Sequence, residues 1–126
     1  MRTIACVLAL IAFASAANAS LNRNDVVVVY NSHANWNSSL LQSKAVADYY
    51  CQERDIPIAN EVGVSWDGLG ESISPVDFTD YIATPLRNYL SQRAGLTAGQ
   101  IPDIATDPTK AIVLCYGVPL RIAGGG

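Results

Sequence analysis

"VVVVYN", residues 26–31, is an unbroken apolar run rich in β-branched side chains that closes with an asparagine. A strand with one face in water alternates polar and apolar residues, whereas a strand buried on both faces does not. The run therefore predicts a strand over residues 25–31 in the interior of a parallel sheet. Shorter apolar stretches at residues 60–65 and 111–117 predict two further strands.

The first gap between the predicted strands carries a helical pattern. Ser38 or Ser39 is the expected N-cap, and the helix is predicted to run to about Arg54. The Ile56-Pro57 pair stops it, because the residue before a proline is disfavoured in the helical conformation. The apolar stripe of this helix is predicted at Leu41, Ala45 and Tyr49, flanked by Leu40, Val46 and Tyr50.

The second gap has a clearer helix start in "SPVDF". Ser74 is the expected cap, and Pro75 occupies the first helical position, where its missing N–H is no loss. Pro85 is expected to kink or divide the helix, and Gly95 is expected to end it. The predicted stripe is Phe78, Tyr81, Ile82, Leu86 and Leu90.

The element order is therefore β-α-β-α-β, which implies a parallel sheet with right-handed crossovers. We predict an α/β fold, a Rossmann-like or flavodoxin-like three-layer parallel sheet, of which these residues form only the N-terminal β-α-β-α-β portion. Three strands that are apolar on both faces need more cover than two helices give. The domain over residues 20–126 is thus expected to be incomplete at its C-terminus.

Residues 1–19 have the pattern of a secretory signal peptide. Arg2 precedes an apolar stretch, and Ala17 and Ala19 supply the small residues required before a cut at Ser20. A membrane anchor is the alternative, but the stretch is shorter than the roughly 20 residues that span a bilayer. We therefore expect export to the periplasm or the extracellular space, with no membrane span after cleavage.

Removing 19 residues from 126 leaves 107, which suits one small domain. Loss of Arg2 leaves seven basic residues against eleven acidic ones in the mature part. Because no basic cluster appears, binding to nucleic acid is not expected.

Several landmarks occur in a specific order and spacing: "ADYYCQERDIPIANEV" at 47–62, "ISPVDFTDYIATPLRNYL" at 73–90 and "IVLCYGVPLRI" at 112–122. Together they resemble a family of exported bacterial proteins, of no established activity, that tends to occur in species carrying exosortase. The resemblance implies export and an α/β domain. The loop at residues 32–39 departs from the family pattern, being longer and more aromatic. The matched positions are Asn31, Tyr49, Tyr50, Arg54, Ile56, Pro57, Asn60, Phe78, Pro85, Leu86, Gly117, Val118, Pro119, Leu120 and Arg121.

In open parallel sheets, ligands bind outside the carboxyl ends of the strands. Residues 31–39, 66–71 and 116–121 should gather at that edge. Gly117 would allow a close approach, and the guanidinium of Arg121 would offer a forked donor to a carboxylate or phosphate. The candidate binding residues are Asn31, Ser38, Ser39, Gly117 and Arg121.

Catalytic residues are harder to find in the sequence. His33 is the only histidine, and it is either a general base or an exposed loop residue. Its own loop has no carboxylate to orient the imidazole, so we expect it to be mostly exposed and dispensable for stability. Cys115 would be a nucleophile if His33 faced it, but a buried cysteine in an apolar strand needs no such role.

Cofactor and metal signals are weak. Residues 31–39 contain no glycine, which a phosphate-binding turn requires, and "DGLGE" at 67–71 predicts a turn. One histidine without paired cysteines does not make a zinc site, and the spacing of the acidic residues Asp67, Glu71 and Asp77 matches no calcium loop. We expect no cofactor and no metal.

Cys51 and Cys115 are expected to stay unpaired. A helix antiparallel to the strands would place Cys51 about 18 Å from the helix start, at 1.5 Å per residue, and therefore far from Cys115. A disulfide requires Cα atoms within about 7 Å of each other.

Two functions remain open from the sequence. The first is a secreted or envelope-associated binding module whose partner is a small molecule or an envelope component. The alternative is a peptidase-like hydrolase with its site at the strand ends, completed by residues beyond Gly126.

Overall fold

The computed structural model describes residues 21–39, 41–103 and 107–124. The predicted signal peptide and Leu40 of the predicted helical stripe lie outside these ranges. Within them, no helix combines the length and the apolar character needed to span a membrane.

The core of the fold is a parallel sheet of three strands. These are β1 (Val26–Asn31), β2 (Glu61–Val64) and a later strand, β4 (Ala111–Leu114), in the order β2-β1-β4. Short strands β3 (Ser72–Ile73) and β5 (Arg121–Ile122) form a separate parallel pair. The helices are α1 (Ser43–Glu53), α2 (Pro75–Asp77), a π-helical segment (Phe78–Ala83) and α3 (Thr84–Arg93). The predicted mixed α/β character and the parallel sheet are confirmed.

β1 is buried on both of its faces, as its sequence predicts. The four valines at 26–29 are each at most 7% exposed. Val27 and Val29 pack with Val64 and Ile82, whereas Val26 and Val28 pack with residues of α1 such as Ala47. Because alternate side chains of a strand point to opposite faces, α1 and the helical residues 75–93 contribute to two cores separated by the sheet.

β4 is the strand that stays partly uncovered. Ile112 is 43% exposed and Leu114 is 46% exposed, although β1 next to it is fully covered. The sequence predicts an exposed apolar strand face for both β1 and β4. The structure corrects this expectation, since the exposure is confined to β4.

The start of α1 differs from the prediction. The helix begins at Ser43, and Ser38 instead accepts a hydrogen bond from the Leu41 N–H, at 3.3 Å, in the preceding turn. The side chain of Asn37 accepts the N–H of Lys44 at 2.9 Å. The polar loop is thus held by its own side chains for several residues before the helical hydrogen bonds begin.

The buried face of α1 was also predicted wrongly. The buried residues are Ser43, Ala47 and Cys51, while Val46 and Tyr49 of the predicted stripe are 44% and 65% exposed. Small side chains let the helix lie close to the valines of β1, which supply most of the apolar volume. Periodicity therefore indicates an amphipathic helix correctly but selects the wrong face when the larger apolar residues point outwards.

The second helical region begins as predicted. The hydroxyl of Ser74 accepts the N–H of Asp77 at 3.1 Å, and Pro75 occupies the first helical position. The region ends in a left-handed residue, Gly95, with φ of 75°. The Leu96 N–H donates to the Ser91 carbonyl at 2.8 Å, which satisfies one of the last carbonyls of the helix.

The helical region changes its hydrogen-bonding pattern just before Pro85, where the sequence predicts a kink or a division. A π-helical segment, Phe78–Ala83, comes before it, and the Thr84 N–H donates to the Thr79 carbonyl five residues back. The wider turn shifts the hydrogen-bond register just before the proline, which has no N–H to donate. Helical structure thus continues from residue 75 to residue 93.

We expect Ala47→Leu to lower the free energy of unfolding by about 1–3 kcal/mol, because added methylenes overpack a well-filled core. Ala47 is fully buried against β1. The neighbouring Val46→Ser is the control and should change stability by at most about 0.5 kcal/mol, since Val46 faces solvent. Urea unfolding measures the stability of both variants. A larger loss of stability for Val46→Ser than for Ala47→Leu would mean that the face predicted from the sequence is the buried one.

Candidate functional site

The carboxamide of Asn31 ties together the segments that follow the three core strands. Asn31 is fully buried at the carboxyl end of β1. Its Nδ2 donates to the carbonyls of Trp66 at 2.8 Å and Gly117 at 2.9 Å. Its Oδ1 accepts the N–H of His33 at 3.0 Å and the N–H of Trp66 at 3.3 Å. All four hydrogen-bonding positions of the carboxamide are therefore satisfied by backbone groups.

Two further side chains reinforce this junction. The buried hydroxyl of Ser43 accepts the Asn31 N–H at 2.9 Å and donates to the Tyr116 carbonyl. The Nδ2 of Asn37 donates to the carbonyls of Asn31 and His33 at 3.0 and 2.9 Å. The first residue of α1 is thus fixed to the ends of both β1 and β4.

Trp36 fills the space between the loops. Its Nε1 donates to the Gly68 carbonyl at 2.8 Å, and its ring meets Tyr116 edge to face with centroids 5.3 Å apart. A Cβ on Gly117 would lie 2.7 Å from Trp36 Cε3, and Gly117 has φ of 92°. The sequence predicts that Gly117 would allow a ligand to approach the backbone closely. In the structure, the side chain of Trp36 fills that space.

A cavity of about 290 Å³ lies beside this junction, at the carboxyl ends of β1 and β4, and we call it the switch crevice. Trp36 and Val118 are buried in its wall, while Leu69, Tyr116 and Leu120 are between 56% and 71% exposed. Glu71 is its only charged lining residue. The full lining is Trp36, Leu69, Gly70, Glu71, Leu114, Cys115, Tyr116, Gly117, Val118 and Leu120.

A smaller depression of about 190 Å³ lies where β1 and β2 end. It is lined by His33, Ser65, Asp67 and Tyr81, and we call it the polar hollow. No motif in the sequence predicts this depression, because its four residues come from three separate segments of the chain.

The candidate binding residues from the sequence do not form one site. Asn31 and Gly117 lie together, because the Nδ2 of Asn31 donates a hydrogen bond to the carbonyl of Gly117. Ser38 and Ser39 line a separate shallow depression with residues of α1. Arg121 is exposed on β5, where its Nε donates to the Ser72 hydroxyl at 2.9 Å. Sequence reasoning did not select Trp36, Ser43 or Tyr116, although aromatic residues just after strand ends were a usable signal for two of them.

His33 is half-buried rather than mostly exposed, and it has a structural role in its loop. Its Nδ1 accepts the N–H of Asn35 at 3.2 Å and so caps the short 3₁₀ turn at Ala34–Trp36. A neutral imidazole whose Nδ1 is an acceptor carries its proton on Nε2. His33 therefore offers a donor to its surroundings, and the lone pair a general base would need is already engaged.

A Cys115 and His33 dyad is not assembled in the structure. Cys115 packs in the core beneath α1, whereas His33 lines the polar hollow together with Tyr81 from the helical region on the other side of the sheet. Burial also raises the pKa of the Cys115 thiol, which keeps it protonated and weakens it as a nucleophile.

Cys51 and Cys115 are both free, buried thiols in the same apolar cluster. The pKa of the Cys51 thiol is raised to about 12. Burial is the largest cause, the carboxylate of Glu61 is the next, and Cys115 contributes less. The two thiols are thus unpaired, as the sequence predicts, although both belong to one apolar cluster.

An ion-pair cluster joins α1 to β2. Lys44 pairs with Asp48 on the next turn of α1 and with the buried carboxylate of Glu61 at 3.1 Å, and its Nζ lies 5.3 Å from the Tyr30 ring centroid. The hydrogen bond to Asp48 is the main cause that raises the pKa of Lys44. In the described ranges, no group of three or more His, Cys, Asp or Glu residues is arranged to hold a metal ion.

A cavity of about 640 Å³ lies between α3 and the uncovered face of β4. Its lining is almost wholly apolar and includes Leu86, Leu90, Ile112 and Leu114. It is a continuation of the core surface rather than a cluster of chemically active groups.

No protein family model, curated protein or solved structure matches this chain.

We expect Gly117→Ala to destabilise the fold by clearly more than Gly95→Ala. Both glycines have positive φ, 92° and 75°, so both substitutions carry the cost of a left-handed residue, about 1–2 kcal/mol. Only Gly117 adds a clash with Trp36, since a Cβ at Gly95 meets nothing within 4 Å. Equal losses in chemical unfolding would mean that the contact between Trp36 and Gly117 is loose.

Stability should fall as the pH rises from about 9 towards about 12. In that window the unfolded Cys51 thiol ionises with its ordinary pKa of 9.0, while the folded thiol, with its pKa raised to about 12, keeps its proton. The unfolded state then binds fewer protons, so the equilibrium shifts towards it. Urea midpoints measured across this range should decline less steeply for Cys51→Ala than for the natural protein, and identical slopes would contradict the raised pKa.

Proposed function

We propose that this chain is an exported binding module with a three-layer, Rossmann-like α/β fold, which holds a small ligand in the switch crevice and performs no catalysis. The observation that carries the proposal is the position of the crevice, at the point where the order of the strands reverses. In open α/β sheets this is the place where ligands bind.

The topology supports both parts of this proposal. From β1 the chain passes through α1 to β2 on one side, and then through the helical residues 75–93 to β4 on the other side of β1. The two crossovers contribute to cores on opposite faces of β1. The switch point, where successive connections leave β1 in opposite directions, is therefore between β1 and β4, and the crevice lies next to it.

The chemistry of the crevice favours a ligand with an apolar body and one polar group. Trp36 and Val118 give a buried apolar wall, and Tyr116 and Leu120 form an exposed rim. Glu71 is the single charge and accepts hydrogen bonds, so the polar group should be a donor or a cation. Trp36 and the backbone beside Tyr116 are already fixed by hydrogen bonds, which lowers the entropy cost of binding.

The hydrolase alternative has less support. The Nδ1 lone pair of His33 is taken by the Asn35 N–H, and Cys115 is a protonated thiol in a different cluster. Within the described residues, no hydrogen bond joins His33 to a nucleophile or to an orienting carboxylate, which is the arrangement that nucleophilic catalysis requires. These features favour binding over hydrolysis.

Export is proposed from the leader pattern and from the resemblance to exported bacterial proteins, and it puts the ligand among periplasmic or extracellular small molecules or envelope components. When the full chain is expressed with a C-terminal tag in a bacterium, the secreted form should begin at Ser20. An Ala19→Arg variant should stay unprocessed, because signal peptidase needs a small residue there. A mature protein that retains Met1 would contradict export by cleavage.

We expect Tyr116→Ala to weaken binding of the neutral, apolar dye Nile red by about fivefold, since an aromatic side chain at the rim contributes roughly 1 kcal/mol. Tyr49→Ala is the matched control, because Tyr49 is comparably exposed but lies on α1. Dye fluorescence titrations measure both variants. Equal affinities of the two variants for the dye would show that the dye does not bind in the crevice, and they would contradict the proposed binding site.

A further inference from the structure

We infer that the polar hollow, formed by His33, Ser65, Asp67 and Tyr81, is a second binding site that takes a polyhydroxylated ring such as a sugar. This inference does not depend on the switch crevice, because the two lining sets share no residue. It rests on the hydrogen-bonding groups that the fold places around the hollow.

The walls of the hollow are held in place by the protein. The Oδ1 of Asn31 accepts the N–H of His33 from one wall and the N–H of Trp66, which lies between Ser65 and Asp67, from the other. The Nδ2 of Asn35 also donates to the Asp67 carbonyl at 3.0 Å. The loops after β1 and β2 are thus fixed to each other, so a ligand would not have to order them.

The hollow offers both donors and acceptors. Among its lining residues, a neutral His33 carries a donor at Nε2–H, because its Nδ1 already accepts a hydrogen bond. Asp67 presents a carboxylate that only accepts when ionised, and the hydroxyls of Ser65 and Tyr81 do both. Among the described residues, the carboxylate and the two hydroxyls have no protein hydrogen-bond partner.

This combination selects a class of ligand. A phosphate or carboxylate would be repelled by Asp67, and an ammonium group donates only and leaves the Nε2–H of His33 unmatched. A hydroxyl group donates to Asp67 and also accepts from His33, so a ring that carries several hydroxyls satisfies all four side chains.

The position of Tyr81 and the size of the hollow restrict the class of ligand further. The Tyr81 side chain is 47% exposed, so its ring can pack against the C–H face of a sugar. The volume of about 190 Å³ is below the roughly 300–1,000 Å³ of pockets that enclose drug-sized ligands. A single ring, or one unit of a longer chain that extends into solvent, fits this space.

The test is a titration of the ¹⁵N-labelled full chain with methyl β-D-glucopyranoside, methyl α-D-mannopyranoside and myo-inositol, followed by amide chemical shifts. At least one of these probes should shift the amides of residues 33 and 65–67, with a dissociation constant near the millimolar range expected for one ring. Sodium phosphate and phenethylammonium chloride, at equal concentration, should not produce these shifts.

Asp67→Asn should weaken the binding at least about tenfold, the loss that follows when one charge-assisted hydrogen bond becomes neutral. Asp80→Asn removes an exposed carboxylate beside Tyr81 that does not line the hollow, and it should leave the affinity unchanged. The amide spectrum of each variant reports whether it is folded.

Three results would overturn the inference: no shifts with any polyol at roughly 100 mM, well above a millimolar constant; equal shifts with phosphate or the ammonium salt; or equal weakening by both Asp variants. Tyr116→Ala should leave polyol binding intact. Failure of the crevice and failure of the hollow are therefore distinguishable.

Discussion

The carboxamide of Asn31 is the interaction on which the functional edge of this fold depends. A buried amide is costly unless its donors and acceptors are satisfied, and here all four positions are bonded to backbone groups of the loops that follow β1, β2 and β4. The apolar strands supply the free energy that brings these loops together. The polar centre then selects one arrangement of them, because any other would leave buried groups without partners.

The switch crevice and the polar hollow are both lined by residues of the loops that Asn31 joins. Gly117 packs against Trp36 next to the switch crevice, and His33 lines the polar hollow together with Asp67 and Tyr81. The same contacts argue against hydrolysis, since the Asn35 N–H is bonded to Nδ1 of His33 and Cys115 stays in the core.

Local signals in the sequence predicted the elements well but the site only in part. The valine run, the Ser74-Pro75 start and the Gly95 end are determined by neighbouring residues, and the structure has all three where they were expected. The buried face of α1 is decided by how closely the helix approaches β1, which hydrophobic periodicity does not measure. The bonds from Asn31 to Trp66 and to Gly117 join residues 35 and 86 positions apart. No spacing rule encodes such contacts, so the polar hollow and the role of Trp36 became visible only in three dimensions.

The most direct test of this account is the free energy of unfolding of Asn31→Asp, measured in urea at neutral pH against Asn35→Asp. Asn31→Asp keeps the shape of the side chain, but it places a carboxylate oxygen against the carbonyls of Trp66 and Gly117. In the natural protein these carbonyls accept hydrogen bonds from Nδ2 of Asn31. We predict a loss of about 3–5 kcal/mol, comparable to much of a small domain's stability, or failure to fold. Asn35 is exposed and its side chain makes one hydrogen bond, so its variant should lose about 1 kcal/mol or less. Equal stability of the two variants would contradict the central place given to Asn31.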